Sequence, residues 1–222
     1  MLFKDRAQAA GLLARELQPW RGQHPLVLAV PRGGVPMGGI VAAALDGELD
    51  VVLVRKLGAP GQPEFAIGAV DEAGGVYLAD YAPLVGGDAA YVARERDAQL
   101  AVMRRRRAQY TPVRPPIDPA GRVVIVVDDG LATGATMIAA LRAVRGRQPQ
   151  RLICAVPVAS HEALHKVRPY CDEVVCLLVP EGFEAVGQFY REFPQVEDSE
   201  VVATLVAPAP EALDRSGPEP RV

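Results

Sequence analysis

Three observations predict an α/β fold with a mostly parallel sheet flanked by helices. Short aliphatic stretches recur at residues 26–30, 50–54, 123–128, 151–158 and 173–179, with the composition of strands covered on both faces. Helical patterns fall between most of them, and strand–helix alternation is what parallel pairing requires. The third observation is residues 122–136, RVVIVVDDGLATGAT, where an unbroken run of β-branched residues ends on two carboxylates and passes through a small polar loop into a helix.

The 222 residues suffice for one α/β domain with appended elements, expected over residues 1–206, followed by a disordered Pro-rich tail at 207–222. Half of the residues are hydrophobic, yet no apolar run approaches the length of a bilayer span, and the opening MLFKDRAQAA is charged rather than signal-like. A cytoplasmic protein without membrane partners is expected. With 24 basic and 27 acidic residues, the formal charge of -3 gives no global field for nucleic acid. Cys154, Cys171 and Cys176 form no CxxC pair and read as buried, reduced thiols.

Phe3, Ala7, Ala10, Leu13 and Leu17 recur at helical spacing and predict an amphipathic lead-in helix. The strand at 26–30 runs into Pro31-Arg32-Gly33-Gly34, where a cation stands beside two residues that tolerate close approach, so that Arg32 and the local amides can embrace a diphosphate. A helix is expected from 35 to 45. After the strand at 50–54 come Arg55 and Lys56 and then Gly58, Pro60, Gly61 and Pro63, which predict a mobile loop over 57–64. Residues 65–78 read as a hairpin turning at Gly74-Gly75. A long helix follows from an Asp88 cap to Tyr110; its run from Arg104 to Arg107 occupies every face of about one turn and is expected to be a solvated face or a subunit contact, with RNA as the lesser reading. Residues 112–119, with four prolines, form a stiff connector.

In the stretch 122–136, Asp128 and Asp129 precede Gly130, Leu131, Ala132, Thr133, Gly134, Ala135 and Thr136. A helix N-terminus leaves N–H groups unpaired and suits phosphate, whereas two acids repel it and suit the vicinal hydroxyls of a sugar. Together they describe a ribose-phosphate site. A Walker loop is not matched, because Ala135 stands where a Lys would precede the hydroxyl of Thr136. Residues 161–165 satisfy HExxH, but Pro169 closes that helix within two turns, and a surface helix is the expected outcome. The segment 180–198 gathers Phe183, Phe189, Tyr190 and Phe193, three of the five Phe among them, either as part of a base-recognising cap or as a small cluster docking the C-terminal helix.

The DDGLATGAT of residues 128–136 resembles the phosphoribosyl pyrophosphate motif of the type I phosphoribosyltransferases, and is nearest to the adenine-type pattern DDLLATGGT. The resemblance implies a type I phosphoribosyltransferase-like (Rossmann-like) core, a small hood from about 180 to 206, and an inserted hairpin and helix. It assigns the ribose hydroxyls to Asp128 and Asp129 and the 5-phosphate to residues 130–136. The loop at Arg32, Gly33 and Gly34 receives the pyrophosphate, with an often strained or cis peptide. Lys56 opens a flexible catalytic loop, in which Glu64 would stand near a purine. The implied reaction moves ribose 5-phosphate from phosphoribosyl pyrophosphate to a nitrogenous base, with Mg²⁺ carried mainly by the substrate and a homodimer as the assembly. A non-catalytic regulator that binds the same donor, and that contacts RNA through Arg104 to Arg107, is the alternative.

Overall fold

The computed structural model describes residues 2–110, 112 and 115–206, with the side chain of Glu64 left aside. The tail at 207–222, expected to be disordered, lies outside the described residues. Five strands form one sheet: β1 (Leu26–Ala29), β2 (Glu48–Val51), β6 (Val123–Val127), β7 (Arg151–Val158) and β8 (Glu173–Leu178), in the order β2-β1-β6-β7-β8 and parallel throughout. Every residue of β1 and β6 is buried, as their aliphatic composition predicts for strands covered on both sides. The two faces alternate along them. Val27, Ala29, Val123, Ile125 and Val127 face one core, while Leu26, Leu28, Val124 and Val126 face the other.

The first core is closed by α1 (Arg6–Glu16) and α2 (Gly34–Ala44), and the second by α4 (Ala135–Arg145) and α5 (His161–Val167). Asp5 caps α1 by accepting from the Gln8 amide, and Ser160 caps α5 by accepting from the Ala163 amide. From β1 the chain moves outward to β2, and from β6 it moves the opposite way to β7 and β8. The loops after β1 and β6 therefore diverge to opposite faces and leave a crevice at the carboxyl ends of two neighbouring strands. In open α/β sheets, this switch point is where ligands sit.

A second sheet, β3 (Val54–Ala59), β4 (Gln62–Asp71) and β5 (Val76–Leu78), is antiparallel and packs on α4 and on α3 (Ala89–Tyr110). Here two expectations are corrected. The strand expected at 50–54 is two pieces, since β2 ends at Val51 and β3 begins at Val54. The loop expected over 57–64 is instead the turn of a hairpin: Ala59 pairs with Gln62 across Pro60-Gly61, and Gly61 has φ +71°. Register slips around Gly58 place Pro63 where the ladder is already irregular, so its missing N–H costs no regular pairing. The hairpin at 65–78 is present, with Gly74 at φ +90° in its turn.

Asp88 caps α3 through the Tyr91 amide at 2.7 Å. The arginine run on that helix is not a uniform solvated face. Arg107 turns inward to Glu72 at 2.7 Å, to the Val51 carbonyl at 3.3 Å and to the buried Asp50 at 3.4 Å. Asp50 also accepts from the amides of Val51 and Ile117, at 2.7 and 2.9 Å. Burial pushes the Asp50 carboxyl up despite these partners. Of the three thiols only Cys154 is buried, while Cys171 and Cys176 are half-buried on and beside the edge strand β8. The short helix α6 (Asp198–Val206) packs against α2 and α3, and its Asp198 accepts from the Tyr110 hydroxyl at 2.9 Å. No helix among the described residues is long and apolar enough to cross a membrane.

Candidate active site

The two loops at the switch point touch. The Val30 amide donates to the Val127 carbonyl at 2.9 Å, which carries the pairing of β1 and β6 one residue past β1. A Cβ on Gly34 would lie 2.6 Å from that same carbonyl oxygen, and one on Gly33 would lie 2.1 Å from Oδ2 of Asp129. Gly33 and Gly34 therefore let the loop lie close: a side chain at 34 would meet the Val127 backbone, and one at 33 would press on the Asp129 carboxylate. The peptide bond joining Pro31 to Arg32 is cis. The Arg32 guanidinium sits at the rim of the crevice, paired at 3.2 Å with Glu197, which is 60% exposed and so holds it weakly.

Asp128 and Asp129 end the central strand. Asp128 accepts the Asp129 amide on Oδ1 at 2.9 Å. Asp129 is gripped on Oδ2 by Arg6, through Nε at 3.0 Å and Nη2 at 2.9 Å. In each carboxylate one oxygen is thus committed to the protein and the other is the one a ligand hydroxyl can address. Burial and the neighbouring charge of Asp129 hold the Asp128 carboxyl well above the ordinary range. Burial also raises Asp129, against the opposing pull of Arg6.

Arg6 is the residue that sequence reasoning missed. It reaches the site from the first turn of α1, 123 positions before its partner, and nothing in its local pattern distinguishes it from a surface cation. The third nitrogen of its guanidinium donates to the Pro194 carbonyl at 2.6 Å, and its plane lies 3.8 Å over the ring of Phe193. Phe193 stacks on Tyr190 at 4.8 Å, Tyr190 meets Phe3 at 5.4 Å, and the Tyr190 hydroxyl donates to the Asp129 carbonyl at 2.7 Å. The aromatic segment therefore docks the N-terminal residues and backs the acidic pair.

The loop at 130–136 is held from below. Leu131 is buried and exchanges backbone bonds with Val158 and Ser160, and the Ser160 hydroxyl donates to the Ala132 carbonyl at 2.9 Å. Gly130 lies against Val186, where a Cβ would come within 2.7 Å. Gly134, at φ +78°, turns the chain into α4, so that Thr133, Ala135 and Thr136 stand at an exposed helix entrance whose first N–H groups have no intrahelical partner. Lys56 lies on β3 and lines a cavity shared with Thr133 and Thr136. Glu64 belongs to β4, and its side chain lies outside the described residues. The HExxH residues form part of α5, with Glu162 paired to Lys166.

No group of three or more His, Cys, Asp or Glu side chains is gathered for a metal ion among the described residues. The carboxylates of Asp128 and Asp129 are the residues that could hold a Mg²⁺ ion there, since this ion keeps much of its water and rarely takes an all-protein cage.

Comparison with known proteins agrees with this geometry. A chain from Thermus thermophilus, TT1426, superposes with a TM-score of 0.82 at 50% identity, over 93% of this chain and 98% of that one. The Mycobacterium tuberculosis (strain ATCC 25618 / H37Rv) protein Rv0571c, which carries a provisional phosphoribosyl transferase name, is 44% identical over 207 residues, 92% of this chain. Those residues make up only 46% of the relative, so this chain spans about half the length of the curated proteins it matches. The model of the phosphoribosyl transferase domain matches residues 4–193, a span that contains Arg6, both loops of the crevice, the whole parallel sheet and the aromatic backing of Asp129. The chain belongs to the phosphoribosyl transferase domain family.

Proposed function

We propose that this chain transfers ribose 5-phosphate from phosphoribosyl pyrophosphate to a nitrogenous base, releasing pyrophosphate. The observation that carries the reading is the contact of Gly33 with Asp129, which joins a diphosphate-type loop and a diol-type acidic pair at one switch point. Asp128 and Asp129 each offer one uncommitted oxygen to one of two vicinal ribose hydroxyls. Residues 130–136 take the 5-phosphate on backbone amides and the hydroxyls of Thr133 and Thr136. Arg32, Gly33 and Gly34 hold the leaving diphosphate, and Arg32 exchanges its exposed partner Glu197 for that stronger anion. Lys56 supplies a second cation to the donor's phosphates.

Bound Mg²⁺ would offset charge on the departing diphosphate. The protein's own contribution is positional. Its fixed carboxylates and amides hold the ribose while positive charge develops at C1, where an anionic pair nearby is favourable. The pairing of Arg6 with Asp129 limits the repulsion between the two acids before the donor arrives, and Tyr190 fixes the backbone that carries them.

Calorimetric titration with phosphoribosyl pyrophosphate and Mg²⁺ tests the donor assignment. Saturable one-to-one binding, weakened at least tenfold in Asp128→Asn, is the expected result; indifference to that substitution would contradict it.

A further inference from the structure

Charge is divided unevenly over the surface of this chain. Helix α3 carries six arginines against two acids, Glu95 and Asp97. Arg107 is taken up by Glu72 and the buried Asp50, and Arg96 by Asp97 at 2.8 Å. Arg94, Arg104, Arg105 and Arg106 make no ion pair among the described residues, and the first three are exposed. Arg94 and Arg105 stand about three turns apart and so share the solvent face of the helix. The exposed Ala98, Ala101 and Ala108 fall on the same stripe and let another surface approach closely between the arginines. The dipole at a helix C-terminus favours cations in the last turn, but it does not account for a basic face that runs back to Arg94.

The opposite charge lies next to it. Residues 181–200 hold Glu181, Glu184, Glu192, Glu197, Asp198 and Glu200 against one base, Arg191. All of these acids except Asp198 are exposed, and among the described residues only Glu197 has an ion pair, to Arg32 at 3.2 Å. The two surfaces adjoin where α6 packs on α3, joined by the bond from the Tyr110 hydroxyl to Asp198 at 2.9 Å. A basic surface beside an acidic one is self-complementary under a two-fold axis, because each then meets the opposite charge of the other copy. A nucleic acid is a poorer match: the acids beside α3 repel a phosphate backbone, and the formal charge of the chain is -3.

We propose that the arginine face of α3 and the acidic segment 181–200 form an isologous interface between two copies of this chain. Arginine stems and the alanines between them supply the packing, and the charges set the orientation. Attraction of this kind is screened by salt, so the pair is dependent on both concentration and ionic strength. The interface meets the crevice only at Glu197, and the inference does not rest on what the crevice binds.

Sedimentation of the full chain is the test. In about 50 mM NaCl a species of twice the 23.7 kDa chain mass is expected, and its dissociation constant should rise at least about tenfold in about 1 M NaCl, where the screening length falls to about 3 Å. Arg104→Glu with Arg105→Glu should weaken the association at least about tenfold, and so should Glu192→Lys with Glu200→Lys; all four side chains are exposed. Each reversed chain repels its own copies. An equimolar mixture of the two carries complementary charge at both contacts of the pair and should regain the doubled mass. If either double variant does not fold, Arg105→Glu and Glu192→Lys, mixed, give the same comparison. A wild-type chain that keeps its single mass at every concentration, a dimer that both reversals leave intact, or folded reversed chains that stay monomeric when mixed would each overturn the proposal. So would a monomer that binds single-stranded RNA through Arg104 and Arg105, which would give this face to a nucleic acid.

Discussion

Asp128 and Asp129 are neighbours in the chain with different electrostatic supports, and their substitutions should separate. The Asp128 carboxyl is raised by burial and by the adjacent charge, so between the ordinary carboxylate value and its raised one the folded chain holds a proton that the unfolded chain has lost. Stability therefore falls as pH rises through that window and stays lower above it. Asp128→Asn should raise the melting temperature at neutral pH by roughly 2–4 °C, corresponding to about 1 kcal/mol, while weakening donor binding about 10- to 100-fold. Asp129→Asn should behave oppositely in stability, losing about 2 kcal/mol, because Arg6, only 12% exposed, would then face a neutral amide. Thermal melts of both variants at neutral pH check the contrast; equal shifts of one sign would refute it. Gly33→Ala places a methyl group on the Asp129 carboxylate and should lower donor affinity at least tenfold by calorimetry, with the fold retained.

At the scale of elements, the sequence was most legible where composition alone decides the structure. Four of the five aliphatic runs fall on strands of the parallel sheet, the run at 50–54 being divided between β2 and β3, and the strand–acid–loop–helix order at 122–136 is the one observed. The residues at 57–64 were misread because Gly58, Pro60, Gly61 and Pro63 were counted as breakers without regard to position. Two of them form a turn, and the other two sit where a close or slipped ladder needs a small residue or no donor. Gly61→Ala should therefore destabilise by about 1–2 kcal/mol through its left-handed backbone alone, since nothing lies within 4 Å of the added carbon. The arginine run was misread for a different reason: the partners of Arg107 are Asp50 on β2 and Glu72 in the turn after β4, both far from it in the chain. Arg107→Ala strands the buried Asp50 carboxylate, and urea denaturation should show a loss of about 3 kcal/mol. A loss under about 1 kcal/mol in that experiment would mean the network adds little.

On the scale of the whole molecule, the site exists because the chain order β1, β2 and then β6, β7, β8 sends two loops apart at the middle of one sheet. The loop residues carry signals that a sequence displays, an acidic pair and a Gly-Gly step. Their supports do not. Arg6, Phe193 and Tyr190 act through tertiary contacts spanning the full length of the fold, and a hydrogen bond across 123 positions leaves no periodic trace. The aromatic cavity beside α4 is likewise assembled from distant parts of the chain, with its rings at Phe65, Tyr77, Tyr81 and Tyr170.

The most direct test of the central claim is pyrophosphate release. The chain would be incubated with phosphoribosyl pyrophosphate, Mg²⁺ and a panel of purine and pyrimidine bases, with Asp128→Asn and Gly33→Ala in parallel. Release that requires one of the bases, and that falls at least about 100-fold in both variants, is the predicted result. Tight donor binding with no base-dependent release would contradict a transferase and leave a donor-binding regulator in its place.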